Sequence, residues 1–177
     1  MNGPDELIAF WCDAGAAKWF ARDVAFDAEI RRRFEPAHHA AARGELDAWA
    51  ATAQGALALI LLLDQVPRNC FRDSAHAFAT DPLARQRAAR AIDRGDDQQV
   101  AESLRQFFLL PFEHAEDLVD QERSVELART LGGEPLEYAL AHREVIRQFG
   151  RFPHRNRALG RANTPAEQDW LDAGGGF

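Results

Sequence analysis

Apolar residues recur every three or four positions along most of the chain, a spacing that places them on one face of an α-helix. Proline, glycine and N-capping side chains separate these stretches, at positions where helices begin and end. The run Leu59–Leu63 is apolar on every side, which predicts a helix at the centre of the core. The predicted helices extend from Pro4 to Gly15, Asp27 to Arg43, Trp49 to Asp64, Asp81 to Gly95, Asp96 to Leu110, Phe112 to Leu131, Pro135 to Phe149 and Thr164 to Trp170.

Prolines and one aspartate mark the places where this pattern predicts an interruption. Pro36 lies inside the second predicted helix, and Pro111 separates the fifth from the sixth. Asp64 is predicted to end the central helix, and Pro67 falls in a long connection over residues 65–80. Helices of these lengths joined by short loops favour antiparallel helix pairs, so we predict an all-α fold of about eight helices.

Composition supports this fold class. The chain has 33 alanines but only 15 valine, isoleucine and threonine residues, and no stretch alternates with the period of a strand. With 177 residues, 46% of them hydrophobic, the chain can bury a substantial core. No low-complexity linker divides it, so we predict a single all-helical domain over residues 1–177, with a mobile glycine-rich tail at 174–177.

Charge and hydropathy exclude several classes of protein. The formal net charge of −7 argues against nucleic acid or an anionic membrane as a partner. The longest charge-free stretch around the apolar centre, residues 48–63, is shorter than the about 20 residues that span a bilayer, and no export signal precedes it. We therefore expect a cytoplasmic protein. Cys12 and Cys70 lack the spacing of a zinc site, and both are expected to be structural.

Three segments are too rich in charged and amide side chains to be ordinary turns: residues 64–69, 113–122 and 151–156. If the middle segment is helical, four carboxylates from Glu113 to Asp120 share one face. Residues 113–126 hold six acids and one arginine, whereas residues 143–161 hold six arginines and one glutamate. The two stretches are therefore predicted to be electrostatic partners.

Three hypotheses use these segments. The first is a structural salt-bridge network, with Arg68 as a further member and partner binding through the helical array. The second is a pocket for a small anionic ligand or an acidic peptide end. An arginine guanidinium next to a backbone that proline holds rigid is well suited to bind a carboxylate or a phosphate through two parallel hydrogen bonds. The candidate ligand-binding residues are Asp64, Gln65, Arg68, Asn69, His114, Glu116, Asp117, Gln121, Arg151, His154, Arg155 and Asn156.

The third hypothesis is a hydrolase-like enzyme in which His114 or His154 works with Glu116 or Asp117. No phosphate loop, dinucleotide glycine motif, nucleophile elbow or zinc-protease signature occurs, so no cofactor and no metal ion are predicted. Three further histidines, His38, His39 and His142, lie on predicted amphipathic helices and are interpreted as structural.

The combined motifs resemble the bacterial domain-of-unknown-function family 924 (DUF924). The motifs that carry the resemblance are residues 62–69, His114–Asp117 with Gln121, and residues 150–156. The resemblance implies an all-helical, tetratricopeptide-like right-handed helical array of stacked helix pairs, and it brings no established activity. Ala115 stands where the family pattern suggests serine, and Glu113 where it suggests an apolar residue.

Overall fold

The computed structural model describes residues 3–177. Over this range the chain forms nine α-helices and five short 3-10 helices and contains no strand, which confirms the all-α prediction. The α-helices are α1 (Pro4–Ala14), α2 (Ala16–Trp19), α3 (Val24–Ala42), α4 (Ala53–Cys70), α5 (Asp81–Asp93), α6 (Gln106–Glu113), α7 (Leu118–Leu131), α8 (Gly133–Phe149) and α9 (Pro165–Asp172). The 3-10 helices are Asp47–Ala51, Ala75–Phe78, Asp96–Gln99, Glu102–Leu104 and Pro153–Arg155. The tetratricopeptide-like arrangement stays a prediction.

Helix ends follow the predicted capping chemistry at several places. Thr164 and Glu167 form the predicted reciprocal capping box at the start of α9. Gly150 ends α8 in the left-handed conformation, with its N–H bonded to the Ile146 carbonyl. At α3 the cap is Asp23, whose side chain accepts from two backbone N–H groups, so this helix begins earlier than the predicted Asp27.

The central helix, α4, is buried along nearly its whole length. The prediction that it ends at Asp64 is wrong, because it continues through Pro67 to Cys70. Proline has no N–H to donate to the Leu63 carbonyl four residues earlier. The Thr80 hydroxyl donates to that carbonyl instead, at 2.6 Å, and satisfies the group that Pro67 leaves open.

Residues 96–118 depart further from the prediction. In place of one helix that ends before Pro111, the chain forms two 3-10 helices and then α6, which includes Pro111 and ends at Glu113. Helix α7 begins only at Leu118, because Asp117 is its N-cap. The residues at 114–117 are not α-helical, so the predicted helical face of four carboxylates does not form.

The chain divides into two compact units. The first runs to Arg72 and resumes over His76–Pro111, and the second comprises Asp73–Ala75 and Phe112–Phe177. In the first unit, α4 packs against α1, α3 and α5, and fully buried aromatic rings such as Trp11, Phe34 and Phe107 fill the core. In the second unit α7 packs against α8, and a smaller core forms around Phe152. The single domain and the mobile tail stay predictions.

None of the helices in residues 3–177 has the combination of length and apolar character that a membrane crossing requires.

Candidate functional site

The candidate residues form two groups, one in each unit. Residues 64–69 are the last turns of α4, in the first unit. The other two segments belong to the second unit: one runs from the end of α6 into α7, and the other is the 3-10 turn that follows α8. The prediction that Arg68 shares a pocket with residues of these later segments stays a prediction.

Arg68 lies between two buried carboxylates of the first unit. Its guanidinium donates to both carboxylate oxygens of Asp81, at 2.8 and 2.9 Å, and Nη1 also donates to the Asp64 carbonyl at 2.6 Å. Nη1 is 3.2 Å from the Asp64 carboxylate, which also accepts from Gln65 at 2.6 Å. Burial alone would lower the pKa of Arg68, but the carboxylates of Asp64 and Asp81 raise it above its usual value. Arg68 is therefore a permanent charge that neutralises buried acids.

Asn69 has a similar internal role. Its side-chain amide donates to Asp27 at 2.8 Å, and the same carboxylate accepts from Arg72. This amide therefore helps to hold the end of α4 against α3.

Glu116 is held in the second unit by an arginine that the candidate list lacks. Arg161 donates to both oxygens of Glu116, at 2.6 and 2.8 Å, and the Phe152 N–H donates to it at 2.8 Å. Burial alone would raise the pKa of Glu116, but these hydrogen bonds and the charge of Arg161 lower it below its usual value. Glu116 is therefore a fixed anion that joins the loop before α7 to the turn after α8.

Arg151 and Asn156 are also engaged inside the second unit. Arg151 donates to both oxygens of Glu167, at 2.6 and 2.8 Å, and lowers the pKa of that carboxyl to about 2. Asn156 is buried; it donates to Asn163 at 2.8 Å and accepts from Arg161 at 2.8 Å. The ion pairs of Glu116 with Arg161 and of Glu122 with Arg143 and Arg147 confirm the predicted complementarity between the acidic and arginine-rich stretches.

Gln121 and Asp117 shape the loop that carries His114. The fully buried Gln121 amide donates to the carbonyls of Glu113 and Ala115, at 2.6 and 2.8 Å. The Asp117 side chain accepts from the first N–H groups of α7. Both residues therefore fix the backbone on either side of His114.

A basic aromatic cluster forms in the second unit from His114, His142, Phe152, His154, Arg155 and Phe177. Phe177 lies nearly parallel to the His142 ring, with 3.6 Å between centroids. The Arg155 guanidinium lies 4.4 Å from the centre of the Phe152 ring, and its Nη1 donates to the His114 carbonyl at 2.9 Å. The cluster thus gathers three imidazoles and one guanidinium around two phenyl rings.

His142 is the buried one among the three imidazoles of this cluster. Its Nδ1 is 2.9 Å from the Tyr138 carbonyl and 3.3 Å from the Glu113 carboxylate, so Nδ1 carries the proton. Burial, with smaller effects from the positive charges of His114, Arg155 and His154, lowers the pKa of His142 to about 3. At neutral pH His142 is an uncharged ring that offers a flat face.

These contacts bear on the enzyme hypothesis. A general acid or base needs a proton affinity near the working pH and access to the reacting group. Glu116 is held as an anion by Arg161, and Asp117 caps a helix. Both carboxylates that the hydrolase-like hypothesis uses are therefore engaged in contacts within the chain.

Sequence reasoning missed several residues that organise the second unit: Arg161, His142, Glu113, Glu167 and Phe177. Arg161 and Glu167 were visible only as one arginine among six and one acid of a capping box. His142 shares its cluster with residues far from it in the sequence, which helical periodicity alone does not reveal. Phe177, 53% exposed, has no local pattern that signals its contact with His142.

Comparison with known proteins identifies the family. The model of the bacterial protein family of unknown function DUF924 matches residues 7–175, so the chain belongs to this family. The chain is 54% identical to a protein of unknown function, ATU0120, from Agrobacterium tumefaciens, over 96% of this chain and 97% of that one. The TM-score of 0.94 between the two structures shows the same fold. No curated protein matches the chain.

Proposed function

We propose that this member of the DUF924 family binds a small anion that carries an aromatic ring, at the basic aromatic cluster of the second unit. The observation that carries the proposal is the position of Phe177, whose ring lies flat on His142 and near the rings of His154 and of Phe152, on whose face Arg155 lies. An aromatic ligand placed as Phe177 is placed would have its charge close to these basic groups. The carboxylate end of a peptide that finishes in an aromatic residue has the same chemistry.

Arg155 is the group best placed to recognise the anion. Its side chain is held by the His114 carbonyl and by the face of Phe152, so little conformational freedom remains to be lost on binding. A guanidinium also presents paired N–H donors that match a carboxylate. Arg151 and Arg161 bind carboxylates of the chain and are expected to support the site.

Isothermal titration calorimetry with benzoate, N-acetylphenylalanine and inorganic phosphate tests the proposal. We expect the two aromatic carboxylates to bind and phosphate to bind more weakly. Because a hydrogen bond to a charged group contributes about 1.5–3 kcal/mol, Arg155→Ala should weaken binding by about tenfold or more. Arg157→Ala removes an equal charge from an exposed position nearby and should leave the affinity unchanged.

Phe177→Ala separates the role of the ring from that of the charge. If the ligand's ring takes the place of Phe177, the variant no longer has to displace its own side chain and should bind N-acetylphenylalanine more tightly. Equal affinities for wild-type protein and both the Arg155 and Phe177 variants would refute the proposed site. Thermal unfolding of each variant checks that the fold is intact.

A further inference from the structure

Three histidines of the first unit converge although they come from two separate elements. His38 and His39 lie near the end of α3, and His76 lies in the 3-10 helix Ala75–Phe78. The ring centroids are 5.0 Å apart for His38 and His39, 5.8 Å for His38 and His76, and 5.6 Å for His39 and His76. The three imidazoles therefore form a nearly equilateral triangle.

Their nitrogen atoms are close enough to share one ion. One ring nitrogen from each histidine lies within 4.8 Å of the other two. A triangle of that size has a point no more than about 2.8 Å from every corner, whereas a zinc–nitrogen bond measures about 2.0–2.1 Å. His39 is half-buried and His76 is exposed, so small side-chain rotations can close this difference.

His38 has the hydrogen bonding of a metal ligand. Its Nδ1 is 2.8 Å from the Leu62 carbonyl, which can only accept, so Nδ1 carries the proton and Nε2 presents a lone pair. That Nε2 is fully buried and has no hydrogen-bond partner within residues 3–177. A buried polar atom without a partner costs free energy, and a metal ion would satisfy it. Metal-binding histidines typically donate their other N–H to a backbone carbonyl, as His38 does.

Neighbouring side chains contact the other two rings. Phe71, directly after α4, stacks on His76 with 4.0 Å between centroids and 8° between planes. Glu35 lies one turn before His39, and its carboxylate is 3.7 Å from the His39 Nε2.

We propose that His38, His39 and His76 form a binding site for a divalent transition-metal ion of the zinc class. Three neutral nitrogen donors suit zinc, nickel, copper and cobalt rather than magnesium or calcium, which prefer oxygen ligands. Three protein ligands also leave a coordination position open for water or a small ligand, as in catalytic rather than structural zinc sites. The site lies in the first unit and does not depend on the proposed function of the second.

Metal titration of the full-length, tag-free chain after dialysis against EDTA tests the site. We expect one Zn²⁺ per chain by isothermal titration calorimetry, a higher melting temperature with Zn²⁺, and visible absorption bands of low-symmetry Co²⁺ when cobalt replaces zinc. His76→Gln should weaken Zn²⁺ binding by about a hundredfold or more, since loss of an outer-shell partner alone costs about 10–100-fold. Cys12→Ser removes an exposed potential zinc ligand elsewhere in the first unit and should leave stoichiometry and affinity unchanged.

A variant with His39→Gln and His76→Gln together keeps the buried His38 and its bond to Leu62, so the core is preserved. This double variant should show no cobalt absorption and no rise in melting temperature with Zn²⁺. If wild-type protein binds less than one Zn²⁺ per chain, or if His76→Gln binds as wild type does, the site does not exist and the three histidines are structural.

Discussion

Arg68 offers a direct test of how the charged motif at the end of α4 contributes to stability. Its side chain is 18% exposed, whereas the side chains of its partners Asp64 and Asp81 are only 1% and 10% exposed. Methionine keeps the length and apolar stem of the arginine side chain but removes the guanidinium. Arg68→Met therefore leaves two buried carboxylates without the cation that neutralises them.

The expected cost follows from this geometry. Breaking a buried ion pair by removing one partner typically costs about 3–5 kcal/mol, because the remaining charge is stranded. For a chain of this size, each kcal/mol corresponds to about 2–4 °C in melting temperature, so Arg68→Met should melt about 6–20 °C lower. Arg32→Met is the matched control, since Arg32 also donates to both carboxylate oxygens of an acid, Glu29, but its side chain is 70% exposed; it should lower the melting temperature far less than Arg68→Met does.

Urea unfolding at pH 7, followed by circular dichroism, measures the free energy of unfolding of both variants. A double variant isolates the interaction between Arg68 and Asp81. Arg68→Met with Asp81→Asn removes one stranded carboxylate and should recover at least about 1 kcal/mol relative to Arg68→Met alone. If Arg68→Met costs no more than Arg32→Met, or if the double variant recovers nothing, the buried acids do not depend on this arginine and the reasoning is refuted.

Two further predictions concern the loop and turn contacts. The pKa of Glu116 is lowered in the folded protein, so its contribution to the free energy of unfolding is present above the ordinary glutamate pKa and is lost as pH falls through the folded value. The free energies of unfolding of wild type and Glu116→Gln, measured in urea, should therefore differ at pH 7 and converge at acidic pH. A difference that stays constant with pH would contradict this. Thr80→Val should lower the free energy of unfolding by about 1–3 kcal/mol, because it leaves the Leu63 carbonyl without its donor. Thr80→Ser keeps the hydroxyl and should lower it much less in the same assay. Equal losses of stability in the two variants would show that the hydroxyl is not the cause.

Local rules in the sequence predicted most helices because their signals lie within a few residues of one another. Thr164 and Glu167 are three residues apart and cap α9 as predicted. Pro67 and Pro111 misled the prediction because whether a helix tolerates proline depends on distant partners. At Pro67 that partner is Thr80, which lies in a different element and which no local pattern connects to Leu63.

The candidate site shows the same division between local and distant information. Charge balance predicted that the acidic and arginine-rich stretches would pair, and Glu116 and Glu122 bear this out. Charge counts cannot assign partners, so they did not distinguish Arg161, which holds Glu116, from its five neighbours. Histidines were harder still: on a helix they resemble structural residues, and only coordinates show that His38 and His39 lie near His76.

The motif around Pro67 connects the fold to the proposed metal site. Pro67 leaves the Leu63 carbonyl open, and Thr80 satisfies it. The preceding carbonyl, of Leu62, accepts from His38 Nδ1 and so selects the tautomer in which Nε2 carries no proton and has a lone pair available. Two successive carbonyls of one helical turn thus accept from side chains of other elements, one to continue the helix and one to set the chemistry of a buried imidazole. A metal ion at this site would satisfy the buried Nε2 of His38, which has no hydrogen-bond partner among residues 3–177.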